Sequence, residues 1–256
     1  MKLDGKICVI TGDASGIGPG TARCLAKAGA KVVIADIDIG AAKNAAQAIG
    51  KEHMGLDLDV TDPDAVQKGI EKVLKAYGRL DVLLSDAGLQ IVKRVEKFTF
   101  DEWRNVVSIH LDGASLTSNA VLPQMDKQGS GTIRYMGSVQ SQEASALKVP
   151  DVAAKHGIFG LGRTIAKEGG EKGVRTNVIP PEFVKTPLVE KQVPEQAKDP
   201  DISEMDVINK VMLGETVDKE FTTVEDVAHT ALFLATFPSN ALTGQSIVVS
   251  HDWRMD

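Results

Sequence analysis

The run Thr11-Gly12-Asp13-Ala14-Ser15-Gly16-Ile17-Gly18 separates an apolar stretch, Ile7 to Ile10, from a segment of helical character. Glycine in such a turn lets backbone N–H groups come close to a phosphate, and the positive end of the following helix favours its charge. Asp36, eighteen residues beyond Gly18, closes the next apolar run. A carboxylate there can accept hydrogen bonds from the hydroxyls of an adenosine ribose, and it would repel a 2′-phosphate. The spacing is Gly-x3-Gly-x-Gly, and a glycine cluster alone would mark only a left-handed turn. Strand, turn, helix, strand and acid together predict a dinucleotide site that takes NAD in preference to NADP.

Those residues need a scaffold to hold them. Ile17, Thr21, Cys24, Leu25 and Ala28 recur at helical spacing, Lys31 to Ala35 reads as a second strand, and the Ala-rich stretch from Ile39 to Ile49 reads as a second helix. Asp62 and Pro63 open an amphipathic helix carrying Val66, Ile70, Val73, Leu74 and Tyr77, and Gly78 stops it. A strand follows at Asp81 to Leu84, then a long helix from about Asp101 to Met125 and a strand at Thr132 to Met136. A helix from about Val152 to Lys172 leads to a strand at Val174 to Ile179. Thr222 and Glu225 are placed as a capping box for a helix running to Phe237, and Ser246 to Val249 reads as the last strand. Continuous apolar strands alternating with helices predict a single α/β domain, a doubly wound parallel sheet covered on both faces. From Thr186 to about Thr216 the pattern weakens and becomes charged, which suits a flap beside the site.

Composition narrows the choice of partners. The 256 residues are 43% hydrophobic, enough to bury a large core in one domain. The formal charge of -6 leaves no basic surplus for nucleic acid or an anionic membrane surface. Two cysteines, Cys8 and Cys24, supply neither a disulfide framework nor a metal site. Met1 to Asp4 reach a strand almost at once, without a charged segment and long apolar run, so the expected location is the cytoplasm.

With these residues placed, the whole chain resembles the short-chain dehydrogenase/reductase family. The glycine turn, Asp59-Val60, Ala87-Gly88 and the spacing of Ser138 to Lys155 all fall at family positions. The run Thr186-Pro187-Leu188-Val189-Glu190-Lys191-Gln192 further resembles the bacterial D-3-hydroxybutyrate dehydrogenases. The resemblance implies a Rossmann-like seven-stranded sheet, a homotetramer, and NAD-dependent interconversion of a short 3-hydroxy acid and its 3-keto acid. It places cofactor contacts on Gly12, Ser15, Gly16, Ile17, Gly18, Asp36, Asp59, Val60, Ala87, Gly88, Lys155, Pro181, Val184 and Thr186. It places contacts to a small carboxylate substrate on Gln90, Ser138, Gln140, Lys148 and Gln192. One ammonium with neutral donors suits a monocarboxylate.

The family's catalytic set of Asn, Ser, Tyr and Lys is only half kept. Ser138 and Lys155 match, whereas Asp151 stands at the tyrosine position and His110 at the asparagine position. The only tyrosines, Tyr77 and Tyr135, cannot replace the missing one by spacing. Asp86, Glu182 and Asp252 likewise stand where the family has Asn, Gly and Gly. Aspartate is shorter than tyrosine and ordinarily ionised, so Asp151 is expected to pair with Lys155 instead of donating a proton. General acid–base help of about 10²–10⁴-fold should then be lost or greatly weakened. His110 is open to two readings, a member of a proton relay or a packed helix residue; His156, about 100° around the helix from Lys155, reads as packing. Two functions follow: a 3-hydroxy acid dehydrogenase impaired at proton transfer, or a non-catalytic dinucleotide-binding protein that retains the fold.

Overall fold

The computed structural model describes residues 1–12, 16–197 and 202–254. One sheet holds six parallel strands: β1 (Ile7–Thr11), β2 (Lys31–Asp36), β3 (Met54–Asp57), β4 (Val82–Ser85), β5 (Gly131–Met136) and β6 (Val174–Ile179). Their order is β3-β2-β1-β4-β5-β6, so the winding reverses between β1 and β4 and the loops that follow them part to open a crevice.

Alternation along the strands divides the apolar residues between two cores. Val9, Val33, Leu83, Ile133 and Tyr135 meet α3 (Pro63–Tyr77), α5 (Gly113–Gln128) and α6 (Val149–Gly169) on one face. Cys8, Ile10, Ile34, Leu84 and Met136 meet α1 (Ile17–Lys27), α2 (Ile39–Ile49) and α9 (Val224–Thr236) on the other. Asp62 starts α3 by accepting from Asp64 N and Ala65 N, and Gly78, at φ 75°, ends it. Thr223, rather than Thr222, caps α9, and Asp226 completes its capping box.

The structure adds one strand and corrects three expectations. β3 carries no apolar run because it is a half-buried edge strand, and Gly55 is needed where α2 crosses: a Cβ would lie 2.5 Å from Lys43 N. The long helix expected from Asp101 to Met125 is divided into α4 (Phe100–Val107) and α5 by a wide π turn over Ser108–Asp112. The expected seventh strand flanks β6 only through isolated bridges, Val178 to Ser246 and Pro181 to Val249. Pro180 and Pro181 lack the N–H groups a ladder would need there. The segment expected as a flap is helical: α7 (Pro187–Gln196), the one-turn α8 (Glu204–Asp206) and a π turn over Val207–Met212. Val189, Val193, Val207, Met212 and Leu213 form its own small core, and residues 198–201 of it lie outside the described residues. Among the described residues no helix is long and apolar enough to cross a membrane.

Candidate active site

The loops leaving the carboxyl ends of β1, β4, β5 and β6 enclose a cleft of about 280 Å³. Gly12, Gly16 and Ile17 line it together with Ser138, Asp151, Lys155 and His110 and with Lys148, Gln192 and Thr186.

At the glycine end, Gly12 N donates to Ala35 O at 2.8 Å. A Cβ on Gly12 would lie 2.2 Å from Ala87 Cα, so the loops after β1 and β4 close on each other only because this residue is glycine. Gly16 begins α1 at φ 75° with no side-chain cap, and a Cβ there would meet nothing within 4 Å among the described residues. A helix start lacking a side-chain acceptor, beside open space, fits the pyrophosphate of a dinucleotide. Ser15 lies outside the described residues. Gly18 is buried within α1. Asp36 ends β2 and accepts from Asp38 N at 2.9 Å. Asp59 accepts from Thr61 N and Oγ1, and Val60 packs beneath Gly113. Asp36, Asp59, Val60 and Ala87 flank the cleft at neighbouring strand ends and do not line it.

Ser138 caps a short turn, its Oγ accepting from Gln140 N at 3.2 Å. Lys155 is buried in α6 and donates to Met136 O at 2.7 Å. Burial lowers its pKa, while Asp151 and Asp86 raise it. The expected Asp151–Lys155 ion pair is absent: the Lys155 ammonium is held by the Met136 carbonyl, and the Asp151 contact is with His110, Oδ1 to Nε2 at 3.5 Å. Both residues lie on α6, but the short aspartate faces the imidazole that the π turn carries inward.

His110 is buried, and its Nε2 lies 2.8 Å from Leu89 O. Burial, then Lys155, pushes its pKa down to about 4 against the opposing pull of Asp151 and the Leu89 backbone, so the ring is neutral at pH 7. Its Nδ1 has no partner among the described residues. Gly88 makes room for the ring, since a Cβ there would lie 2.4 Å from His110 Cε1. His110 is thus at once packed and in the cleft. His156 is exposed, not packed, and its Nδ1 lies 2.9 Å from Val152 O. Neither tyrosine lines the cleft. Tyr135 is fully buried with its hydroxyl 2.5 Å from Ser118 Oγ, and the Tyr77 hydroxyl donates to Glu52 O.

Lys148 precedes α6, with its Nζ 3.5 Å from Gln192 Oε1 and 5.1 Å from the centre of the Phe183 ring. Burial lowers the Lys148 pKa, and Asp151 and Glu182 oppose this. Gln140 is buried with its Oε1 unpartnered among the described residues, and Gln90, Pro181 and Val184 also line the cleft. Thr186 caps α7. Glu182 lines the cleft with a buried Oε2 that has no partner among the described residues. Burial pushes its pKa up to about 8, against the smaller pulls of Lys148 and the Phe183 backbone. Phe183 carried no motif; an aromatic beside Pro180-Pro181-Glu182 was the only signal. Among the described residues no group of three or more His, Cys, Asp or Glu is placed to hold a metal ion.

Residues 6–197 match the short chain dehydrogenase family. The chain is 39% identical to a D-beta-hydroxybutyrate dehydrogenase of Rhizobium meliloti (strain 1021), over 97% of this chain and 98% of that one. It is 35% identical to a 3-oxoacyl-(acyl-carrier-protein) reductase of Thermotoga maritima, over 96% and 97%. The crystal structure of gox2181 superposes with a TM-score of 0.89 at 28% identity, covering 98% of this chain and 96% of that one. The chain belongs to the short-chain dehydrogenase family, a family of oxidoreductases that use nicotinamide dinucleotides.

Proposed function

We propose that this chain is an NAD-linked dehydrogenase of a short 3-hydroxy acid such as 3-hydroxybutyrate, impaired at its proton-transfer step. The observation that carries the reading is the Lys148–Gln192 pair beside Phe183, in the same cleft as Ser138 and Lys155. A buried ammonium with amide donors suits a free carboxylate, and Phe183 offers an apolar wall. An acyl thioester, the other chemistry suggested by the relatives, has no charge for Lys148 to receive.

When bound, the nicotinamide would accept or supply the hydride. The chain's own residues would do the rest. The Ser138 hydroxyl would donate to the substrate oxygen, and Lys155, anchored on Met136 O, would hold the cofactor ribose. At position 151 aspartate has no phenolic O–H to pass to the substrate, and the His110 ring beside it is neutral. Asp36 at the end of β2 favours NAD over NADP.

The same two observations favour a second reading, a dinucleotide-binding protein without turnover. Titration of NAD and NADP, run beside an assay of 3-hydroxybutyrate oxidation, separates the two. Binding of NAD with slow oxidation supports the first reading; binding with no oxidation at all supports the second. Equal affinity for the two cofactors would remove Asp36 from its role. The homotetramer and the cytoplasmic location belong to the proposal as well, and sedimentation of the purified chain tests the former.

A further inference from the structure

Two side-chain oxygens on the wall of the cleft, Gln140 Oε1 and Glu182 Oε2, are buried and have no partner among the described residues. Gln140 is more than nine-tenths buried. An amide oxygen only accepts hydrogen bonds, and a carboxylate does the same once ionised. Acceptors shut away from water are costly until a donor reaches them.

Backbone contacts set the two side chains beside each other and beside the residues assigned to the substrate. Val139 N donates to Pro181 O at 3.1 Å, which fixes the turn carrying Gln140 against the segment carrying Glu182. Gln140 adjoins Ser138, whose Oγ accepts from Gln140 N at 3.2 Å. Glu182 adjoins Phe183, whose ring centre lies 5.1 Å from Lys148 Nζ, and the charge of Lys148 acts on the Glu182 carboxyl. With the hydroxyl of a substrate on Ser138 and its carboxylate on Lys148, the carbon that joins them, C2, is left to face these acceptors. In 3-hydroxybutyrate C2 is a methylene and offers no donor.

The balance of charge points the same way. Among the described residues that line the cleft, the carboxyl groups are Asp86, Asp151 and Glu182, the ammoniums are only Lys148 and Lys155, and the His110 ring is neutral. A bare hydroxy acid adds a further negative charge to this lining, whereas a zwitterion adds none in net.

We propose that the substrate is a 2-amino-3-hydroxy acid, its C2 ammonium donating to Gln140 Oε1 and to the Glu182 carboxylate. The contact of its carboxylate with Lys148 and Gln192 is taken over from the dehydrogenase reading, on which this assignment rests. Without ligand, burial and the charge of Glu143 hold a proton on Glu182 against Lys148 and the Phe183 backbone. An ammonium docked on Oε2 reverses that balance and expels the proton.

Calorimetric titration of the full chain saturated with NADH, so that no oxidation follows, tests this. The ligands are 3-hydroxybutyrate, the stereoisomers of threonine, which add an ammonium at C2 to the same molecule, and 2,3-dihydroxybutyrate. One threonine isomer should bind at least about 10-fold tighter than 3-hydroxybutyrate. Its binding at pH 7 should release about one proton, read from the heats in buffers of different ionisation enthalpy, and 3-hydroxybutyrate should release none. In Glu182→Gln the proton release should vanish and the ratio of the two affinities should fall to near one. Gln140→Leu should lower the ratio as well, and serves if the first variant does not fold. Affinity for 3-hydroxybutyrate equal to or above that for every threonine isomer overturns the ammonium and leaves the dehydrogenase reading standing. A ratio unchanged in both variants, or an equal gain with 2,3-dihydroxybutyrate, overturns it too. No binding of NADH, or of any of these ligands, overturns both.

Discussion

The glycine end of the cleft and its reacting centre differ in what they are made from. The glycine end is built from backbone: Gly12 lets two loops close, Gly16 opens α1, and the helix itself supplies the donors. The centre is built from side chains, and there the family resemblance leads one to expect residues other than Asp151, His110, Asp86 and Glu182. A site made of turns and helix ends outlasts substitutions around it, because fold stability maintains it. A site made of one phenol is lost with one codon. In this chain binding and chemistry can therefore be separated experimentally.

The largest effect should come from restoring that phenol. Asp151→Tyr is expected to raise 3-hydroxybutyrate oxidation by at least about 10²-fold, with NAD affinity little changed. A variant that binds both ligands and gains nothing would move the defect to Glu182 or to the geometry around His110.

Next comes the substrate end. Lys148→Ala should weaken acetoacetate binding by about 10- to 100-fold and leave NAD affinity almost unchanged, as expected for one buried charge-assisted contact. If both affinities fall alike, Lys148 supports the start of α6 and does not recognise a carboxylate.

A smaller effect joins the two regions through Glu182. Its folded pKa of about 8 lies above the ordinary 4.5, so the fold retains this proton. The stability it contributes is full at acid pH and is lost as pH rises from 4.5 through about 8. Above that pH the carboxylate would also repel an anionic cofactor bound in the cleft. NAD affinity should fall by about three- to tenfold between neutral and alkaline pH, and Glu182→Gln should flatten that dependence. A variant with the parent's pH profile would show that Glu182 lies too far from the cofactor to matter.

The smallest effect lies outside the cleft. Asp252 holds φ 65°, a left-handed conformation that glycine adopts more readily than aspartate. Asp252→Gly should add about 1 kcal/mol of stability, measured by denaturant unfolding, without altering either ligand's affinity.

The central strands and the glycine turn were legible because each is dictated locally, by a continuous apolar run or by a backbone that must come close. The edge strand β3 was not, since MGLD is half-buried and keeps no period. Nor was the π turn that brings His110 to Asp151; from spacing alone the segment reads as one regular helix. The Asp151–Lys155 pair was expected from charge and proximity in sequence, yet a carbonyl at the end of β5 holds the ammonium instead. Such side-chain choices depend on groups distant in the chain. The same limit hid the proton on Glu182, which follows from burial.

The separation of binding from chemistry is tested most directly by titrating acetoacetate into the unmodified protein already saturated with NADH, following nicotinamide fluorescence and NADH consumption together. Saturable formation of the ternary complex should be accompanied by NADH consumption at least about 10²-fold below the ordinary enzymatic rate of about 10 s⁻¹. Consumption at that ordinary rate, or no ternary complex at any acetoacetate concentration, would contradict it.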